Sequence, residues 1–244
     1  MSPYKIRKTM VCGVAACLLA IAGAASAPAA AGTLQVDPVR LEISRDRRTA
    51  SVTVRNQEQV PVTIRAYALE WSQAGGEDVY EDSSAVIVSP PVFTIAPGGT
   101  QIVRVGLRSP SAAGRAYRLM IEEVPDASPG GGIRVALRLN LPLFAMMNAG
   151  SPSDIGWAAW RDGDGRWVLE AANNGSGYVR IEPDQAKAAT GIDIAAGTNF
   201  GVVLPGSRRQ WTLGERPGFI DQARFETLVR GPQDAQPQPS RHSR

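Results

Sequence analysis

Histidine and cysteine are almost missing from this chain of 244 residues. The single histidine, His242, stands next to the C-terminus, and the two cysteines, Cys12 and Cys17, both precede residue 32. With no histidine in the body of the chain, Ser–His–Asp and Cys–His nucleophilic catalysis lack their base in the usual forms. Zinc sites built from His and Cys are excluded on the same count. No Gly-rich phosphate loop occurs. Lysine is scarce too: beyond residue 31 only Lys187 remains, and every other cation is an arginine. Amphipathic helical runs are missing, so the chain reads as all-β.

The one long apolar run, Met10 to Ala25, follows Lys5, Arg7 and Lys8 and leads into "ASA" and "AAA". That order of charge, apolar core and small residues is the order of a secretory signal peptide. The run is too short, and Pro28 follows too soon, for a good membrane span. Cleavage after Ala31 fits, with Ala29 and Ala31 at the small-residue positions. "VAAC" (14–17) loosely resembles a lipoprotein box, but the apolar core continues beyond Cys17 as "LLAIAG". Without residues 1–31 the chain keeps 23 basic and 23 acidic side chains. No electrostatic footprint for nucleic acid is left. An exported chain without thiols belongs in an oxidising compartment and does without disulfides.

What is present is alternation. "LQVDPVRLEI" is a strand interrupted at Pro38, which marks an edge or a change of partner. "ASVTVRN", "VPVTIRAYALEW", the two runs flanking "APGG", and "RAYRLMIEEVP" follow, with turn signals between them. The boldest pattern is "GGGIRVALRLNLPLF" (130–144), which places Ile133, Val135, Leu137, Leu139 and Leu141 on one face and Arg134, Ala136, Arg138 and Asn140 on the other. Strict period-two alternation argues for a strand with one buried face. At ~3.3 Å per residue, 133–141 spans about 30 Å, longer than most strands. Some seven strands to residue 147 suit an immunoglobulin-like sandwich. A second, smaller β-sandwich is expected over 148–231, from "IGWAAWRDGDGRWVLEAANNG" through "ARFETLVRG", with the boundary near "AMMNAGSPSD". Residues 232–244 read as a disordered tail.

Carboxylates offer little chemistry. "DGDG" (162–165) between two strand patterns is a hairpin turn, since the other ligands of a calcium loop are missing. Glu122 and Glu123 are neighbours on a strand and point to opposite faces, so they cannot work on one bond. "NGS" (174–176) fits a glycosylation sequon but, within "NNG", reads as a turn. An enzyme is not expected, and no cofactor or metal is implied.

The blocks "VDPVRLEI" (36–43), "SPPVFTIAPGGTQIVRV" (89–105), "YRLMIEEVP" (117–125), "IRVALRLNLPLF" (133–144), "NNGSGYVRI" (173–181) and "VLPGSRRQW" (203–211) resemble, in order, the periplasmic chaperones of the chaperone–usher pathway. "LPLF" looks like the archaic branch. The resemblance implies two immunoglobulin-like domains set at an angle, residues 32–147 and 148–231. It implies pilin (fimbrial) subunits and an outer-membrane usher as partners. The strand 133–141 would complete an unfinished subunit sandwich by β-strand addition, offering Ile133, Val135, Leu137, Leu139 and Leu141. Relatives are held to anchor the subunit's terminal carboxylate with an arginine on the first strand and a lysine closing the donor strand. Arg40 matches the first, whereas Pro142 stands where the lysine is expected. Arg104 or Arg118 can supply the second charge, or either can pair with a group such as Glu122; Lys187 lies in the other domain. An exposed apolar strand also makes capping by a second copy an expectation. The competing class is a secreted immunoglobulin-like structural or adhesive protein.

Overall fold

Alternation decides which side chains become core. In the computed structural model, residues 34–44, 46–109, 114–125, 136–146, 153–194 and 199–229 are described. The strands in chain order are β1 (Leu34–Asp37), β2 (Leu41–Ser44), β3 (Thr49–Asn56), β4 (Val62–Ala74) and β5 (Glu77–Asp82). Then come β6 (Val86–Ser89), β7 (Val92–Ile95), β8 (Thr100–Leu107), β9 (Arg115–Glu123) and β10 (Arg138–Met146). One sheet has the order β1-β3-β8-β6, and the other β2-β10-β9-β4-β5 with β7 also paired to β4. On the paired strands β3 and β8, Val52, Val54, Val103 and Val105 are wholly buried, while Ser51, Ile102 and Arg104 alternate outward. Leu41, Ile43, Ile64, Tyr117, Leu119, Ile121 and Leu143 close the core from the second sheet.

Pro38 behaves as its position predicts. The chain leaves the edge of the first sheet at Asp37 and resumes in the second at Leu41, so β1 and β2 belong to different sheets. A residue without an N–H suits the crossing, where no ladder bond is required.

A second core gathers Ala159, Leu169, Ala171, Ile181, Ile192, Phe200, Val203 and Phe225. Its strands are β11 (Ile155–Arg161), β12 (Trp167–Asn173), β13 (Val179–Arg180), β14 (Val202–Val203) and β15 (Arg208–Gly214), ordered β11-β12-β15 with a separate β13-β14 ladder. The expected hairpin at Asp162–Gly165 is there: the Asp162 carboxylate accepts the backbone N–H groups of Asp164 and Arg166 at 3.0 and 2.9 Å. Two helices, α1 (Pro183–Thr190) and α2 (Gln222–Glu226), complete this part.

The second helix corrects a sequence expectation. "ARFETLVRG" was expected to be a strand. Instead, Asp221 caps a helical turn by accepting the Arg224 N–H at 3.0 Å, and Phe225 is driven into the core against Trp167, 4.9 Å away edge to face. Only Val229 keeps a bridge to a strand, at Ala159. A local cap and one buried aromatic outweigh weak strand alternation. Gly191 ends the first helix in the left-handed conformation, φ 72°, and a Cβ there would meet the Asp221 carbonyl oxygen at 2.1 Å.

The two cores share a device. Asn56 and Asn173 are both fully buried at strand ends. The Asn56 amide donates to the carbonyls of Val60 and Ile95 at 2.7 and 3.1 Å, and its oxygen accepts the Glu58 N–H at 2.9 Å. The Asn173 amide donates to Gly177 and Val203 at 2.7 and 3.1 Å, and its oxygen accepts the Gly175 N–H at 3.0 Å. This last bond makes "NNG" the turn that the sequence predicts. Asn56→Ala leaves buried carbonyls unpaired and is expected to cost about 1–3 kcal/mol by urea denaturation. The exposed neighbour substitution Gln57→Ala is expected to change little.

Candidate functional site

Strand β10 is covered on one side and only partly on the other. Its register against β9 is complete, from Arg138 opposite Glu122 to Ala145 opposite Arg115. The Glu123 N–H donates to the Leu137 carbonyl at 2.9 Å. In an antiparallel ladder that phase turns the backbone groups of odd residues toward β9 and those of even residues away. On the far side, β2 pairs in parallel only with Leu143–Met146. Among the described residues, Arg138 and Asn140 therefore present N–H and C=O groups to an unfilled edge, with the Pro142 carbonyl beside them. Pro142 has no N–H to leave unpaired, which is the position an edge strand tolerates for proline.

Burial along the inward face fades toward this open end. Leu143 is fully buried, Leu141 is 5% exposed, and Leu139 and Leu137 are only half-buried. Leu141, one of the residues the sequence assigns to the donor face, is buried in this protein's own core. Leu139 packs partly against the same core. The strand slides off the end of its sandwich between Leu141 and Leu137. Ile133 and Val135 lie outside the described residues.

On the outward face of the same sheet, Glu122 sits between two arginines. It accepts from Arg65 at 2.7 Å and from Arg138 at Nε, 3.1 Å, and Nη2, and it is a cross-strand neighbour of both. These hydrogen bonds, Arg65 first, hold its carboxyl down at about 2. Neither Arg104 nor Arg118 pairs with Glu122, as the sequence had allowed. Arg118 is four residues along the strand, opposite Pro142 and Leu69, and Arg104 is on the outer face of the other sheet.

Arg118 instead helps to line a cleft of about 800 Å³ that also takes in Arg40, Arg180 and Arg209. Three of the four guanidiniums have a carboxylate: Arg40 with Glu42 at 3.3 Å, Arg180 with Glu182 at 3.0 Å, and Arg209 with Asp78 at 3.3 Å. Arg118 has none among the described residues. Its guanidinium lies 3.7 Å over the Trp71 ring, and its buried Nε lacks a hydrogen-bond partner. A cation stacked on indole with an unused donor can take an incoming anion in a partly desolvated setting. The cleft is walled in part by Pro38, Val39, Pro142 and Val202.

Its floor is fixed by contacts between the two cores. Phe144 stacks on Tyr178, with centroids 3.5 Å apart and planes 7° apart, and meets Trp71 at 5.8 Å. Burial, then the hydrogen bond to Glu42, pushes the Tyr178 hydroxyl up to about 12, so it stays a donor. The Gln73 side chain clasps a backbone segment by donating to the Val202 carbonyl at 2.7 Å and accepting the Leu204 N–H at 3.0 Å. Asp78 collects the Trp71 indole N–H at 3.0 Å, Gln73 at 2.8 Å and Arg209. Burial pushes its carboxyl up, but these hydrogen bonds and the charges of Arg209 and Arg118 more than offset it, and the net direction is down.

Of the residues singled out in the sequence, Arg40, Arg118 and Pro142 come together in the cleft, and Arg104 does not. Sequence reasoning missed Trp71, Asp78, Gln73, Arg180 and Arg209. No local signal marks them, since Arg209 and Asp78 are 131 positions apart.

Comparisons with known proteins bear on the fold. The profile of the pili and flagellar-assembly chaperone family, PapD N-terminal domain, matches residues 33–146. Chaperone protein FaeE of Escherichia coli is 28% identical over 149 residues, covering 57% of this chain and 55% of FaeE. Chaperone protein ClpE of the same organism is 27% identical, with 57% and 54% covered. The chain thus spans about half the length of these curated relatives. Among solved structures, a chain of the CsuC–CsuE chaperone–tip adhesion subunit pre-assembly complex from archaic chaperone–usher Csu pili of Acinetobacter baumannii superposes with a TM-score of 0.60. It is 21% identical and covers 77% of this chain and 97% of that one. A chain of the Salmonella enterica SafA pilin–SafB chaperone complex gives 0.51 at 13% identity, with 78% and 93% covered. The fold is that of the two-domain, immunoglobulin-like assembly chaperones. Residues 33–146 are thus similar to the N-terminal domain of pilus-assembly chaperones.

Glu122 gives a pH prediction. Its folded pKa lies below its ordinary 4.5, so its contribution to stability is full above about 4.5 and is lost as pH falls through about 2. In urea titrations, Glu122→Gln is expected to narrow the gap in stability between pH 7 and the acid end of that window. An unchanged gap removes Glu122 from the acid response.

Proposed function

We propose that this chain is a periplasmic, ATP-independent chaperone that stabilises pilin-like subunits by donor-strand complementation and delivers them to an outer-membrane usher. The observation that carries the reading is β10, whose edge at Arg138–Pro142 is unfilled among the described residues while its inward face loses cover from Leu141 to Leu137. Such a strand has backbone donors and acceptors, and apolar side chains, to give to a chain that lacks a strand. The donor face on this reading is Ile133, Val135 and Leu137, with Leu139 shared and Leu141 kept. Each aliphatic side chain buried in a partner contributes roughly 1.5–3 kcal/mol before ordering and association costs. The Acinetobacter structure holds a chaperone with a tip adhesion subunit and the Salmonella structure a pilin with a chaperone, which supports this choice of partner. "LPLF" supports the archaic branch.

The domain plan on this reading is a signal peptide at 1–31, a subunit-binding domain at 32–147, a second β domain at 148–231 and a tail at 232–244. The terminal carboxylate of the subunit is held by Arg118 and Arg40. Pro142, where relatives place a lysine, is the register partner of Arg118, so the missing cation is replaced from the adjacent strand.

Two measurements test the proposal. Val135→Asp with Leu137→Asp is expected to abolish co-purification with a subunit while leaving the melting temperature close to wild type; unchanged capture rejects the donor strand. Arg118→Ala is expected to weaken subunit binding by about tenfold or more, as for loss of a charged hydrogen-bonding partner. An equal effect from Arg55→Ala, an exposed arginine on β3, rejects the anchor.

A further inference from the structure

Among the described residues Val39 is the most exposed large apolar side chain, at 66%. It stands in the wall of the arginine-lined cleft between Pro38 and Arg40. Among the described residues, none of the hydrophobic clusters takes it in. The cleft pairs each cation of the anchor with an apolar neighbour. Arg40 follows Val39 in the chain, and Arg118 lies directly across the ladder from Pro142. The 142–118 pair is of the non-hydrogen-bonded kind, in which Cα atoms are about 4.5 Å apart.

We infer that this cleft selects the last residue of its ligand as well as the carboxylate, and that it takes a polypeptide C-terminus ending in an aliphatic or aromatic side chain, seated against Val39 and Pro142. This rests on the carboxylate anchor proposed above. In a terminal residue the side chain and the carboxylate leave the same Cα. A carboxylate on Arg118 and Arg40 therefore puts that side chain within reach of the apolar groups flanking both arginines. Charge narrows the choice further. Asp37 and Asp78 line the same cleft and oppose a second negative group, and four guanidiniums oppose a positive one. A terminal glycine leaves Val39 in water and gains nothing.

The test uses the full mature chain and short labelled peptides of one sequence, ending in Leu, Phe, Gly, Asp or Lys, each as free acid and as amide, with binding read by fluorescence anisotropy. The Leu and Phe free acids are expected to bind about tenfold more tightly than the Gly, Asp and Lys ones, the scale of discrimination an apolar subsite gives. Val39→Ser, at an exposed position, is expected to erase most of that ratio while keeping the preference for acid over amide. If acids beat amides but the final side chain makes no difference, or if Val39→Ser leaves the ratio intact, the inference fails and the anchor stands. If acids and amides bind alike, the anchor fails and takes the inference with it.

Discussion

Everything at the candidate site depends on the phase of one ladder. Because odd residues of β10 bond to β9, its even residues carry their backbone groups outward, and the four-residue β2 is too short to meet all of them. The side chains follow the same parity. Leu139, Leu141 and Leu143 turn into the sandwich, while Arg138, Pro142 and Phe144 turn to the opposite face. A slip of one residue would exchange the two sets and bury Arg138 and Asn140. The Arg65–Glu122–Arg138 cluster spans three strands at the open end, where main-chain pairing is thinnest. It opposes such a slip with side chains. Charge on an exposed edge also discourages unspecific pairing.

Phe144 carries the same phase into a small separate cluster with Trp71, Ala116 and Leu204. Facing outward, it stacks between Trp71 and Tyr178, and the seam it makes is the floor on which Arg118 rests. On the proposed anchor, this is how an arginine one strand away stands in for a lysine at position 142. On a pleated sheet, a residue and its register partner share a face, so moving the charge across the ladder shifts it by about one interstrand spacing, ~4.8 Å. Arginine's longer side chain and planar fork cover that distance with geometry to spare. Stacking on indole orients the guanidinium without using up its donors.

Much of this was legible in the sequence, and the limits have physical causes. Period-two alternation located the strands, the Asp-Gly pair the hairpin at Asp162–Gly165 and the proline the interruption at Pro38, because each is written in neighbouring residues. The strand containing Leu137–Leu141 was legible as a half-buried strand. Where burial stops along it was not, since that depends on how far β2 and the opposite sheet extend. The burial of Leu141 was not legible for that reason. "ARFETLVRG" failed because one capping aspartate and one aromatic decided a short segment that alternation barely specified. Asp78, Gln73 and Arg209 were invisible, because contacts across 131 positions leave no local periodicity.

The open edge and the cleft meet at Pro142, and their adjacency fixes a direction. A ligand whose carboxylate rests on Arg118 ends beside Pro142. If the same ligand fills the edge along Asn140 and Arg138, its chain must arrive from the Leu137 side. It then runs N to C in the same sense as β10, as a parallel strand. β2 already pairs in parallel with the same edge further on. The ligand would therefore continue an existing parallel ladder, stopping where β2 takes over at Leu143. Pro142 marks the junction, and its missing N–H is the one backbone group that neither strand needs. A carboxylate terminus is the only kind of chain end that fits this junction without extending into β2, so register and anchor are two readings of one constraint.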